Sequence, residues 1–439
     1  MSKMSSGDAA DSSAEEQATA FADSQPSADA PDPSSQPIMD CFKHLPQHPT
    51  QCAERGIRFD FNAGLRLELP DDGKDYHCLI TDTDEHNILH DAVMDKEHRF
   101  VSTLKKYFVN FSIKVTDPQT GATVFEHTLD LKDREVVIWM PVPAIGDTVA
   151  WFSYVERFQQ KHMCRLTCVM NRALIEVFQK EYPGIRFVTD QDTDSFRDSY
   201  ATYYLGLFLN DDDFNFCPED YRFAGLLGIA PAILNVDKEE IPPRVDLSSP
   251  RSITEPYVCI SVMASSQTKF WNNPFGWETV VKFLVENGYR VLCIDKHSVT
   301  GCGLIWNHVP RNAEDFTGDL PLQSRIDLIK DADFFIGLSS GLSWLAWCCR
   351  QDVVLISGFT HPNNEFFTPY RIINKNVCNS CWNDMRIEFN TSDTLCCPRK
   401  KGTPDHFECS MLISPEKVIE AIKTIPAFRQ RTQKRQVQT

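Results

Sequence analysis

Two hydrophobic periods divide the chain. From residue 134 onward, short apolar runs alternate with segments whose apolar residues recur every three or four positions. REVVIWMPV (134–142), RLTCVMN, IRFVT, PYVCISVMAS (256–265), YRVLCID (289–295), DFFIGL (333–338) and DVVLISG (352–358) read as buried strands. ALIEVFQKEYP, YRFAGLLGIAPAILNV (221–236), TVVKFLVENG (279–288) and LQSRIDLIKDA read as helices. PAIGDTVAWFSYVERFQQKH (143–162) and SSGLSWLAWCCR (339–350) read as loops entering helices. In TVVKFLVENG, Val280, Phe283 and Leu284 fall at i, i+3 and i+4, and Gly288 supplies the stop. Strands alternating with helices of this length predict βαβ units, parallel sheets and right-handed crossovers. The Pro-rich link 239–256 splits the series into two α/β units, 133–245 and 246–425.

Residues 51–132 follow the other period. GIRFDFN, LRLELP, HCLITDTD, YFVNFSIKVTD and TVFEHTLDL alternate apolar with polar residues between turn signals, which predicts a small antiparallel barrel or sandwich. Residues 1–50 lack either period. Over 1–35 they hold seven carboxylates against one lysine among Ser, Ala and Pro, and the segment is expected to be a disordered acidic leader. A basic tail occupies 426–439.

The net charge of −17 argues against a nucleic-acid partner, whose phosphates call for Lys and Arg. The leader has no secretory pattern and no run of about 18 apolar residues occurs, so a cytoplasmic protein without a membrane span is expected. Many of the sixteen cysteines, Cys259, Cys293 and Cys348 among them, sit inside apolar elements and read as reduced thiols.

Three places carry chemistry. Ser339-Ser340-Gly341-Leu342-Ser343 lies between a strand and a helix, where unpaired first-turn N–H groups and the helix dipole favour an anion such as a diphosphate. Ordinary capping by serine accounts for the same residues equally well, and Lys269 on the preceding loop of the same sheet tips the balance by offering a cation. Asp147 follows the first strand of its unit and is the candidate base. A helix cap would explain it too, but Gly146 before it would let backbone approach a ligand. Finally, Cys378-Asn-Ser-Cys381, Cys396-Cys397 and Cys409 offer five thiols for a tetrahedral site. Cys378, Cys381, Cys397 and Cys409 are the chosen four, with zinc the default metal from spacing and iron second. Two α/β units facing across a cleft make the GT-B architecture of many glycosyltransferases.

The motifs IGDTVAWF, TKFWNNPFGW, GLSSGLSWLAW, ISGFTHPNNEF and CNSCWND, spread over about 55–425, resemble those of the bacterial autotransporter heptosyltransferases. The resemblance implies an amino-terminal β-barrel domain (51–132), two Rossmann-like GT-B domains (133–245 on the acceptor side, 246–425 on the donor side) and a four-cysteine finger (376–410). It implies transfer of heptose from ADP-heptose to serines of autotransporter adhesins in the cytoplasm, by a dodecamer. Asp147 then falls on the base and Lys269 on the donor lysine, with Ile145, Gly146, Thr148, Ser340, Gly341, Leu342 and Ser343 as further donor contacts. The same resemblance replaces the zinc default by ferric iron at Cys378, Cys381, Cys397 and Cys409. No acidic metal motif stands near the donor loop, so no Mg²⁺ requirement is expected. The more distant lipopolysaccharide-core heptosyltransferases usually carry an acidic residue and a His where this chain has Ser339 and Trp344, so those two contacts are not carried over. A lipopolysaccharide-core enzyme and a non-enzymatic metal-finger assembly protein are the competing readings.

Overall fold

The computed structural model describes residues 44–208, 215–302 and 305–438, so the acidic leader lies outside it up to residue 43. Its first sheet has the order Arg186–Val188, Arg165–Val169, Glu135–Trp139, Ala201–Tyr204, Arg58–Asn62, Arg66–Glu68, Phe100–Ser102, with Gln51–Cys52 flanking Arg58–Asn62. The first five strands are parallel and the rest are antiparallel. Ala201–Tyr204 was not foreseen as a strand, yet it is fully buried between Glu135–Trp139 and Arg58–Asn62.

That strand changes the reading of 51–132. A closed barrel is not what forms there, because Arg58–Asn62 is taken up by the parallel sheet and brings Arg66–Glu68 and Phe100–Ser102 with it. The remaining strands make a separate antiparallel sheet, ordered Asn87–Met94, Tyr76–Asp82, Phe111–Thr116, Thr123–Thr128. Alternate residues of Tyr76–Asp82 and Phe111–Thr116 are buried, as a strand with one dry face requires. Phe61 stacks on Phe111 at 6.0 Å and Phe59 meets Phe125 at 5.2 Å, so the two sheets face each other, which is the sandwich alternative.

The second α/β unit has six parallel strands in the order Glu314–Asp315, Arg290–Cys293, Tyr257–Ile260, Phe335–Leu338, Val353–Ile356, Arg371–Ile372. Four of these are buried almost throughout, as both faces of a doubly wound sheet demand. The strand predicted over 256–265 stops at Ile260. Beyond it Ser261 Oγ and the Val262 N–H donate to the buried Asp295 carboxylate, both at 2.7 Å, and turn the chain aside. One face of this sheet shares a continuous core with the first unit. Helices Gly276–Glu286 and Pro415–Thr424 cover the other. The basic tail continues the fold as helix Pro426–Gln438, with Arg431 donating to the Gly288 carbonyl at 2.6 Å.

The two units meet along one seam. Helix Ile145–His162 packs on helix Gly341–Cys348 of the second unit and on helix Tyr221–Leu234. The latter reaches back across: Gly225, at φ +65°, leaves no room for a Cβ, which would stand 2.0 Å from the Asn363 carbonyl.

Candidate active site

Asp147 is the third residue of helix Ile145–His162, which starts earlier than the loop 144–148 read from sequence. Polar groups free at a helix start and the dipole there tolerate a carboxylate. Burial acts the other way and dominates, raising the Asp147 carboxyl to about 6, with the Lys269 ammonium pulling it partly back. An aspartate on the first unit thus senses a lysine on the second.

Lys269 closes the one-turn helix Gln267–Lys269, capped by Ser266, and its Nζ stands 5.9 Å over the Phe359 ring. The loop that carries it is stitched down by its neighbours in the finger. Thr268 Oγ1 donates to the Cys396 carbonyl (3.0 Å) and Ser266 Oγ to that of Thr394 (3.1 Å). Asn272 Nδ2 donates to Ser410 Oγ (2.9 Å) and Trp271 Nε1 to the Ile413 carbonyl (2.9 Å).

The starts of helices Ile145–His162 and Gly341–Cys348 converge. A Cβ on Gly341 would stand 2.7 Å from Ile145 Cβ, and one on Gly146 would stand 2.9 Å from Trp344 Cδ1. Gly146 is therefore required by the contact with the Trp344 indole, not by a tight turn. The first N–H groups of a helix have no intrahelical acceptor, and at Gly341 and Leu342 they adjoin Ser340 Oγ, which is buried and has no hydrogen-bond partner among the described residues. A free hydroxyl and free amides at a helix start suit an anionic oxygen.

Other predicted donor contacts are committed elsewhere. Ser343 Oγ donates to the Leu338 carbonyl at 2.6 Å and its N–H to the Ser340 carbonyl, so it fastens the turn. Thr148 is fully buried and its hydroxyl donates back to the Ala144 carbonyl at 3.1 Å, an ordinary bond to the preceding turn. Ile145 offers the cleft a packing surface against Gly341.

Glu365, which sequence reasoning left without a role, is buried and organises the cradle. It accepts from Ser339 Oγ (2.5 Å), from Thr360 Oγ1 and from Arg371 Nη1 (2.7 Å). Ser339 is thus a tie between two loops. A lone carboxylate in the motif ISGFTHPNNEF, followed by Arg371, was the signal available for this.

Among the described residues no three His, Cys, Asp or Glu side chains are drawn together as a metal-ligand set. The thiols are nevertheless neighbours. The Cys381 thiol is raised by burial and then by Cys409, Cys397, Cys396 and Cys378. Cys409 is pushed up to about 12 by burial, Cys378 and Cys397. Cys396 is raised by burial and acts in turn on Cys381. The Cys409 backbone packs on Gly358, where a Cβ would lie 2.7 Å from its carbonyl oxygen, which seats the finger at the end of strand Val353–Ile356.

Residues 54–119 match the family profile of the glycosyltransferase TibC N-terminal domain and residues 231–394 that of glycosyltransferase family 9 (heptosyltransferase). The autotransporter heptosyltransferase Aah of Escherichia coli is 45% identical over 88% of this chain and 97% of its own length. The chain belongs to the autotransporter heptosyltransferases. It is a glycosyltransferase with the GT-B-like fold of that family. The crystal structure of the dodecameric iron-containing heptosyltransferase TibC in complex with ADP-D-beta-D-heptose superposes with a TM-score of 0.83, at 45% identity, over 88% of this chain and 99% of the other. The family also includes BimC of Burkholderia thailandensis, named an inactive autotransporter heptosyltransferase, 36% identical over 92% of this chain and 94% of its own.

Proposed function

We propose that this heptosyltransferase transfers heptose from ADP-heptose to serine hydroxyls of an autotransporter adhesin passenger, with inversion at the anomeric carbon. The observation that carries the proposal is the convergence of two helix starts, one bearing Asp147 and the other the buried Ser340 Oγ, unpartnered among the described residues, with the Lys269 charge felt at Asp147. Asp147 takes the serine proton as its oxygen attacks the face of the anomeric carbon opposite ADP. One carboxylate suffices, because ADP leaves as a stabilised anion and needs countercharge instead of a proton. Lys269, Ser340 Oγ and the amides of Gly341 and Leu342 supply that countercharge where it develops. Gly146 and Ile145 hold the base against the cradle, and Thr148 and Ser343 fix the two turns.

The finger takes ferric iron on Cys378, Cys381, Cys397 and Cys409, with zinc the runner-up. Four thiolate ligands close the coordination sphere, so the metal contributes bracing and no step of the transfer. Its presence in TibC, together with the gathered thiols here, supports this assignment. The same likeness supports a dodecamer, and the reaction needs no Mg²⁺ and takes place in the cytoplasm.

The test is incubation of the protein with labelled ADP-heptose and either a serine-rich passenger fragment or truncated lipopolysaccharide. Label on passenger serines is expected; label on the lipopolysaccharide alone would make it a core enzyme. Lys269→Ala is expected to weaken ADP binding by about 10–100-fold, the worth of a charge-assisted contact. Unchanged affinity by calorimetry would remove Lys269 from the donor site.

A further inference from the structure

Glu365 joins three neighbouring strands of the second sheet. Ser339 and Ser357 directly follow strands Phe335–Leu338 and Val353–Ile356, and Arg371 opens Arg371–Ile372, the strand beside them. One carboxylate oxygen of Glu365 accepts from Ser339 Oγ and from Thr360 Oγ1, and Thr360 Oγ1 shares a further hydrogen bond of 2.8 Å with Ser357 Oγ. The other oxygen accepts from Arg371 Nη1. The ion pair is dry, with 2% of the Glu365 side chain and 10% of the Arg371 side chain exposed. Replacing such a pair by apolar residues of similar volume is often neutral or stabilising, so stability is a weak reason for a carboxylate here. Its partner Ser339 supplies a better one, because Ser340, Gly341 and Leu342, the hydroxyl and amides of the cradle, come next in the chain.

The segment that carries Glu365 is pinned to the first unit and to the link. Asn363 lays its carbonyl against Gly225 and donates from Nδ2 to the Phe223 carbonyl (2.9 Å), and the Phe367 N–H donates to the Glu240 carboxylate (2.7 Å). Between these anchors Phe366 meets the Trp344 ring edge-on at 5.0 Å and stacks on Trp347 at 5.5 Å. Trp344 is the indole that lies over Gly146, the residue before Asp147. Two consecutive residues thus hold both halves of the site: Glu365 grips the start of the cradle, and Phe366 backs the ring on which the helix bearing the base rests. A misplacement of about 1 Å in such a site can cost on the order of 10²-fold in rate.

We infer that Glu365 is a positioning residue for the transfer: through the hydrogen bond from Ser339 it fixes the cradle relative to Asp147. The inference rests on the proposed function. The hydrogen bonds of Glu365 all go to protein groups, so it acts by aiming Ser340 Oγ and the amides of Gly341 and Leu342 at the oxygen on which charge develops. Loss of the tie therefore falls on the rate at saturating donor more than on ADP-heptose affinity.

The experiment measures single-turnover transfer to a passenger fragment at saturating ADP-heptose, beside calorimetric titration of the donor, on the full chain. Ser339→Ala removes the hydroxyl and leaves Glu365 bonded to Thr360 and Arg371. It is expected to slow transfer by about 10–100-fold while donor affinity stays within about threefold. Ser339→Asp sets a second carboxylate against the first and is expected to be slower still. Adding Glu365→Gln to Ser339→Asp lets the amide N–H donate to the new carboxylate, the same hydrogen bond reversed. This double variant is expected to run faster than either single variant at position 339, because it restores the bond as well as relieving the repulsion. An unchanged saturated rate in Ser339→Ala, or a double variant no faster than Ser339→Ala, would overturn the inference, while wild-type labelling of the passenger would leave the proposed function intact. A wild type that labels no passenger would bring down both.

Discussion

Asp147→Asn is expected to slow transfer by about 10²–10⁴-fold while ADP-heptose affinity stays within about twofold, because the amide keeps the shape but cannot take the serine proton. Single-turnover kinetics beside calorimetric titration measure the two quantities. The same substitution should stabilise the protein. The folded carboxyl titrates at about 6, above an unfolded value of about 4, so the folded state holds the proton more tightly. Its ionisation therefore costs stability progressively as pH rises through that interval, and the cost is complete above it. Asp147→Asn should melt higher than the wild type at pH 8 and close to it at pH 4. Wild-type transfer should fall tenfold per pH unit below about 6, since the base must be ionised. An asparagine variant that turns over normally, or a rate flat from pH 5 to 8, would remove Asp147 from the chemistry.

Cys381→Ser is expected to act at a distance. Cys381 is the thiol that senses the other four, and Cys396, Ser410 and Ile413 in and beside the same finger hold the loop of Lys269, Trp271 and Asn272. Losing the finger should lower iron content below one per chain and weaken ADP affinity by about as much as Lys269→Ala, although Cys381 itself touches no donor. Should the variant not fold, Thr268→Val gives a milder measurement. It removes the hydroxyl that donates to the Cys396 carbonyl, leaves the thiols alone and should weaken ADP binding severalfold at full iron content. Iron loss with donor affinity untouched would separate the finger from the donor site.

Periodicity revealed the two parallel sheets because their strands are apolar on both faces and their helices keep a polar side. It did not reveal Ala201–Tyr204, a run of four buried residues too short to show a period of its own. Without that strand, 51–132 read as a self-contained antiparallel barrel or sandwich, and the barrel was what the family resemblance implied. Asp147 and Lys269 were legible because polar residues following apolar runs stand out. The roles of Ser343 and Thr148 were not, since whether a hydroxyl faces a ligand or its own backbone depends on one rotamer. Glu365 escaped for a related reason: its partners Ser339, Thr360 and Arg371 come together only when two loops fold onto each other.

Where Gly146 lies under the Trp344 indole and Gly341 under Ile145, even a methyl group has no space. Lobes sewn so closely cannot part there between turnovers without baring a tryptophan to water.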